Sequence, residues 1–284
     1  MSLRVLASGP LSTVQDLGRP GLSGIGIGAS GAADLDAFGL ANRLVGNDEA
    51  AAAVEVTLGG LVVRATRGLT VAVTGAPCPV TVDDRATAAN SVLRVPAGSE
   101  LRLGVPERGL RSYLAVRGGI SVDPVLGSRS TDVLSGLGPA PLEAGQELPV
   151  GAAPQRFPCL DQAPVGHYPA EEVVLRVQPG PRADWFTAEA METLLGSAYE
   201  VTAESNRVGM RLDGPPLERA RTEELPSEGM VTGALQVPPA ARPTLFLADH
   251  PVTGGYPVIA VVARSDVPKA AQARPGQRVR FRRR

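Results

Sequence analysis

The sequence predicts a mostly-β protein of two units, each with a helix near its start. Two patterns lead there. Apolar and polar residues alternate over short runs, first from Val54 to Val116 and again from Val173 to Phe281, with glycine- or proline-bearing turns between the runs. Strands this short, with glycine and proline this frequent, argue for an antiparallel barrel or sandwich. Between the two series lies a proline-rich passage from Pro139 to Pro169, which holds the domain boundary and divides the chain into 1–165 and 166–284. The 284 residues suffice for two domains of ordinary size.

Taken in order, Leu3 to Leu6 alternates and suits a first strand. The first helix follows a glycine-rich loop: Ser30 is expected as its N-cap, Leu35, Phe38, Leu40, Leu44 and Val45 supply its apolar side, and Gly46 ends it. From Val54 the period changes to two. Strands are expected at 54–58, 61–65, 69–73, 81–82, 91–95, 101–103 and 112–116. In the second unit, 173–177 restarts the strands. Thr187 to Leu195 forms the second helix, with Ala188, Met191, Leu194 and Leu195 on its apolar side. Further strands follow at 199–201, 210–212, 234–237, 244–247 and 258–262. The closing run Gln277 to Phe281 should turn Val279 and Phe281 inward and its arginines toward water, so the basic tail reads as no nucleic-acid patch.

Within the stretch Asp16 to Asp36, Gly26-Ile27-Gly28-Ala29-Ser30-Gly31 matches G-x-G-x-x-G. The context of a dinucleotide site is absent. A buried strand should run into the first glycine, whereas Gly18, Pro20, Gly21 and Gly24 stand there, and they punctuate rather than build a strand. The stretch reads instead as a loop whose backbone can approach another group closely.

Composition excludes several classes. Net charge is −1, so no global field draws the chain to nucleic acid or membrane. No apolar run approaches the ~20 residues that span a bilayer, and the N-terminus does not read as a signal peptide. Cys78 and Cys159 read as buried small hydrophobes, and the expected compartment is the cytosol. Of the 28 lysines and arginines only Lys269 is a lysine. There is no G-x-x-x-x-G-K-[ST] phosphate loop and no Met-Lys-Met biotin attachment site. With only His167 and His250, and no G-x-S-x-G, a serine triad or a histidine-rich metal site fits poorly.

Eight motifs occur in order: GPLSTVQDLGRPG, GASGAAD, ANRLVGN, SYLAVRGGI, LGSRSTD, ESNRVGMRL, LQVP and DHPVTGGYPVIAVV. Together they resemble the allophanate hydrolase subunit 2 family, also called the biotin-dependent carboxyltransferase or Kip-type family, over Leu3 to Phe281. Ala33 and Val208 depart from it, standing where methionine is expected. The resemblance implies two cyclophilin-like β-barrel domains with a few short helices. It also implies the cytoplasmic C-type subunit of a multi-chain, ATP-dependent 5-oxoprolinase that opens the lactam of 5-oxo-L-proline to L-glutamate. The expected partners are a subunit-1-family chain, like the B-type subunit of 5-oxoprolinase, and a chain like its A-type subunit, assembled as a homodimer of heterodimers. ATP is the expected co-substrate, held by this chain or by a partner, and no biotin is attached. Two alternatives stay open: a carboxyltransferase subunit moving CO2 from carboxybiotin to urea or a related amide, and a non-enzymatic regulator that binds an inhibitor of a kinase.

An unactivated lactam resists water, so the implied chemistry needs cations and N–H donors aimed at oxygens, plus a carboxylate to manage protons or position water. Three stretches qualify. The first joins Arg19, Ser30 and Gly31, which would bind substrate at a helix N-terminus, with Asp34 as a catalytic or merely capping carboxylate. In the second, Asn206 lies in a turn, and Arg207 and Arg211 would act as a forked pair on a carboxylate or phosphate. Both arginines are expected at the surface, so replacing either should cost activity rather than stability. The third is expected to be a hairpin loop between two apolar strands. There Asp249 and Thr253 would be catalytic, and Gly254, Gly255 and Tyr256 would line the substrate. His250 reads as structural. Glu55, expected to face water, is a weaker candidate, as are Asp132, Glu224 and Glu228. Trp185 is expected to pack the start of the second helix.

Overall fold

The computed structural model describes residues 2–158, 160–166 and 168–284, so the expectations for Cys159 and His167 lie outside the described residues. By packing, the chain forms two units. One comprises Met1–Arg19, Asp34–Asp132 and Gly136–Tyr168; the other comprises Pro20–Ala33, Val133–Ser135 and Pro169–Arg284. The glycine-rich stretch 20–33 thus packs with the second unit.

The first unit has two sheets around one core. A six-stranded sheet runs, in spatial order, Glu147–Pro149, Ser2–Ser8, Leu61–Ala65, Glu100–Leu103, Val80–Val82 and Arg85–Thr87. A five-stranded sheet runs Leu11–Gln15, Ala53–Thr57, Arg111–Val116, Leu69–Gly75 and Val92–Val95. Leu3, Val5, Leu61, Val63, Leu101 and Leu103 of the first meet Val14, Val54, Val56, Val71, Val73, Leu114 and Val116 of the second. Period-two alternation puts these side chains on one face of each sheet, so the two faces close on each other.

Helix α1, Leu35–Leu44, covers the outer face of the five-stranded sheet, against Leu69–Gly75 and Arg111–Val116. Its start differs from expectation. Asp34, not Ser30, is the N-cap, and its carboxylate accepts from the Ala37 N–H at 3.0 Å. Ser30 has φ +53°, outside helical space. Its buried apolar residues are Ala37, Phe38, Ala41 and Leu44, with Val45 buried just beyond it, and Leu35 is exposed. The small alanines let the helix sit close on the sheet, with the Phe38 ring edge-on to Tyr113 at 6.1 Å.

The second unit is a closed seven-stranded barrel: Glu172–Pro179, Val258–Val262, Ala234–Gln236, Thr244–Phe246, Gly209–Asp213, Ala198–Val201 and Arg278–Arg283. The last strand closes the ring by pairing parallel to the first and antiparallel to Ala198–Val201. Val279 and Phe281 are fully buried, as the alternation predicts. Helix α2, Ala188–Gly196, is capped by Thr187 and packs Ala190 and Leu194 into this core beside Trp185. A short helix α3, Val267–Ala271, lies between strands Val258–Val262 and Arg278–Arg283 along the chain. Among the described residues no helix is long and apolar enough to cross a membrane.

Candidate functional site

A buried polar site lies in the second unit and grows out of its strand pairing. Gly209–Asp213 pairs antiparallel with Thr244–Phe246, placing Gly209 opposite Phe246. The ladder continues beyond both strands: the Leu247 N–H donates to Val208 O and the Asp249 N–H to Arg207 O, each at 3.0 Å. Arg207 and Asp249 thereby become cross-strand neighbours, close enough for their side chains to pair. The Asn206 carboxamide oxygen accepts from the N–H groups of Val208 and Gly209, at 2.8 and 3.2 Å, and holds the turn that delivers Arg207.

Arg207 grips Asp249 with a fork: Nε to Oδ2 at 2.8 Å and Nη2 to Oδ1 at 2.9 Å. Nη2 also donates to the Gly31 carbonyl at 2.6 Å. The Asp249 carboxylate further accepts from Ser30 Oγ at 2.7 Å and from the Val133 N–H at 3.1 Å. Four donors thus occupy the acceptor positions that a carboxylate offers. Side-chain exposure is 1% for Arg207 and 0% for Asp249. The charges hold the loop at 30–31 and the segment at 133 onto the barrel.

Several expected placements change. Ser30 and Gly31 do not lie at a helix N-terminus, because α1 starts beyond them and they pack on the barrel. Arg207 is not at the surface. Arg211 is, and it faces Glu204 at 3.3 Å with both side chains largely exposed. The two arginines therefore form no forked pair: Arg211 lies in the strand with its side chain outward, while Arg207 precedes the strand and turns in. Nor is 247–257 a hairpin loop, because Ala234–Gln236 stands between Thr244–Phe246 and Val258–Val262 in the barrel. The segment crosses over that strand, and Thr253–Gly254 forms a small ribbon with Glu228–Gly229.

On that ribbon Thr253 is exposed. A Cβ at Gly254 would lie 2.5 Å from Gln236 Nε2 and displace that carboxamide, which donates to the Tyr256 carbonyl at 3.1 Å. Gly255 follows, half-buried beneath Leu225. The exposed Tyr256 ring lies under the Arg219 guanidinium at 5.8 Å. His250 stacks on Phe246 at 5.9 Å, and its Nδ1 lies 2.8 Å from Pro251 O, a structural setting. Glu228 is bound by Arg182, whose Nε reaches both carboxylate oxygens at 2.9 and 3.0 Å. Glu224 is exposed.

The remaining candidates belong to the first unit. Asp34 caps α1, and its N–H donates to Tyr113 Oη at 2.8 Å. Tyr113 Oη in turn donates to Glu55 Oε2 at 2.8 Å, and Arg111 Nε lies 3.4 Å from Glu55 Oε1. Glu55 is thus buried, not water-facing: it does alternate away from Val54 and Val56, but α1 covers that outer face. Burial, then the negative charges of Glu55 and Asp34, push the Tyr113 hydroxyl well above its usual range, so it stays protonated and can donate. Asp132 is buried in the loop that follows Ser130 and Thr131. Cys78 is buried beside Ser112, and burial raises its thiol pKa. Arg111 and the Val133 N–H carry no signal in the sequence, and Tyr113 enters only within the SYLAVRGGI motif; all lie far along the chain from the groups they hold.

A family model described as "Carboxyltransferase domain, subdomain A and B" matches residues 25–283. The chain belongs to this carboxyltransferase family. This carboxyltransferase-family chain is 38% identical to the C-type subunit of 5-oxoprolinase from Escherichia coli K12, over 98% of its own length and 90% of that protein. It is 33% identical to the corresponding 5-oxoprolinase chain of Haemophilus influenzae, over 95% and 87% of the two chains. Among solved structures, the urea carboxylase of Kluyveromyces lactis superimposes with a TM-score of 0.92 at 31% identity, covering 99% of this chain and 27% of that one.

Proposed function

We propose that this carboxyltransferase-family chain is the C-type subunit of a multi-chain 5-oxoprolinase, which opens the lactam of 5-oxo-L-proline to L-glutamate with hydrolysis of ATP. One observation carries the reading: the 38% identity to a 5-oxoprolinase chain of the same type, which extends over almost the whole of both chains. The protein works with a B-type and an A-type partner. ATP is the co-substrate, held by this chain or by a partner; this sequence has no phosphate loop. In this reading Asp249 is a positioning residue. With its oxygens taken by Arg207, Ser30 and Val133, it holds the loop at 30–31 rather than moving protons itself. Thr253, exposed on its ribbon with Gly255 and Tyr256 nearby, is the group proposed to meet the substrate. The test is to purify the chain with the products of neighbouring genes and assay ATP-dependent glutamate formation from 5-oxoproline. Turnover by the complex is expected. No turnover in any combination overturns the reading.

A second reading has its own support in the likeness to the urea carboxylase of K. lactis. There the chain would accept CO2 from a partner's carboxybiotin. Biotin-dependent carboxylation of urea by the purified complex, without 5-oxoproline turnover, would select it.

A further inference from the structure

Arg19 and Arg207 are buried, and each donates to a backbone carbonyl, that of Ser130 and that of Gly31. Arg182 is placed differently. It stands in the second unit, its side chain 37% exposed, and binds the one carboxylate of the ribbon that carries Thr253. That carboxylate belongs to Glu228, 25% exposed. Arg182 Nε donates to Oε1 at 2.9 Å and to Oε2 at 3.0 Å, and Nη2 also donates to Oε1. These bonds are the main cause that holds the Glu228 carboxyl below its usual range, against the opposing effect of burial, and the charge of Arg182 adds to them.

The ribbon pairs with no barrel strand. Glu228 lies opposite Gly254 and Gly229 opposite Thr253, and the Met230 N–H extends the ladder to Val252 O at 2.8 Å. Two strands this short do not hold a shape by themselves in water, so the ribbon takes its position from what fastens it. Leu225 and Met230, on either side of Glu228 in the chain, are buried, and Gln236 Nε2 holds the Tyr256 carbonyl at 3.1 Å. The rung of Glu228 and Gly254, next to Thr253, is fastened by Arg182. Arg182 is in turn fixed to the barrel. The Gly180 N–H donates to Ile259 O at 2.8 Å and the Arg182 N–H to Val258 O at 3.3 Å, which carries the ladder between Glu172–Pro179 and Val258–Val262 beyond the first strand's end. Gly180 permits that approach, since a Cβ there would lie 2.3 Å from Val258 O. The Trp185 N–H closes on Arg182 O at 3.0 Å. The planar guanidinium, with two of its nitrogens on one carboxylate, thus fixes the direction as well as the distance between ribbon and barrel.

We propose that Arg182 is a positioning residue: through Glu228 it fixes the rung beside Thr253 and so sets where the Thr253 hydroxyl meets the substrate. Its consequence for turnover rests on the proposed function, in which Thr253 meets 5-oxoproline. Misplacing such a group by about 1 Å costs on the order of a hundredfold in rate, whereas an ion pair this exposed adds little to stability. Activity and stability should therefore respond very differently to its loss.

The test is kinetic, on the complex assembled with its partners. Arg182→Met and Glu228→Gln should each lower kcat/KM for 5-oxoproline roughly tenfold to a hundredfold, with a melting temperature within about 4 °C of the parent. Arg182→Lys, which keeps the charge and loses the planar fork, should fall between Arg182→Met and the parent. Thr253→Val gives the deciding comparison. Arg182→Met added to it should cost no further activity, because Arg182 acts only through Thr253; a merely structural Arg182 would add its own loss. Parental kcat/KM in Arg182→Met or in Thr253→Val, or additive losses in the double variant, overturns the positioning role and leaves the function standing. Hydrogen exchange on the full chain is the second readout. Amides of residues 228–230 and 253–256 should exchange faster in Arg182→Met and those of the barrel strands should not; unchanged exchange in the ribbon overturns the proposal. If the parent complex makes no glutamate, the function falls, and the exchange result by itself decides whether Arg182 fixes the ribbon.

Discussion

The Arg207 guanidinium and the Asp249 carboxylate form a two-bond fork, 2.8 and 2.9 Å long, with neither side chain more than 1% exposed. Removing one member of such a pair leaves the other charge buried and unmatched. Arg207→Ala should therefore cost about 3–5 kcal/mol of stability. Arg211→Ala, at the exposed pair with Glu204, should change stability by less than about 1 kcal/mol. Urea denaturation of the two variants checks this contrast. Equal midpoints would show that the Arg207 pair does not hold the unit together.

Ser30 separates a hydrogen bond from backbone strain. Its hydroxyl donates to Asp249, but its φ of +53° is a conformation that costs a side-chain-bearing residue about 1–2 kcal/mol. Ser30→Ala loses the bond and keeps the strain, whereas Ser30→Gly loses the bond and relieves the strain. Thermal melting should place the glycine variant above the alanine variant. The reverse order would show that the loop relaxes when the hydroxyl is removed.

Tyr113 links two elements by a single hydroxyl, accepting from the Asp34 N–H and donating to Glu55. Tyr113→Phe leaves a buried N–H and a buried carboxylate short of a partner and should cost about 1–3 kcal/mol. Hydrogen exchange should quicken in the first turn of α1 more than in the sheet beneath it. The hydroxyl's raised pKa adds a pH effect: its contribution to stability is complete below about pH 10, the unfolded value, and is lost as pH rises beyond it.

Asp266 gives the opposite pH signature. Arg176 reaches it through Nε at 2.8 Å and Nη2 at 2.9 Å, and Lys269 Nζ at 2.8 Å. The bonds from Arg176 are the main cause, and Lys269 assists, in holding its carboxyl well below the usual range against the opposing effect of burial. A depressed folded pKa stabilises above the unfolded value of about 3.9 and loses that stabilisation as pH falls below it. Denaturation midpoints should therefore drop between about pH 4 and pH 2 in the parent, and drop less in Asp266→Asn. Parallel curves for the two proteins would rule out this residue as the source.

Strand alternation is legible in the sequence: it assigns Val279 and Phe281 to the core and places most strands correctly, because a period of two depends only on neighbours along the chain. The eight ordered motifs are legible too, and the family match over residues 25–283 takes in seven of them, all but the first at residues 9–21. What the chain does not show by itself is where each charge finds its partner. Glu55 reads as water-facing because alternation cannot reveal that α1 covers the other face of its sheet. Arg207 reads as exposed because its partner, Asp249, lies 42 residues away and is brought near only by the strand ladder. Ser30 has the residue type of a helix cap, but tertiary contacts draw it to Asp249 and leave the cap to Asp34. Local pattern determined the strands and the family, whereas long-range pairing decided which polar groups are buried, since burial of a charge depends on a partner that sequence spacing does not reveal.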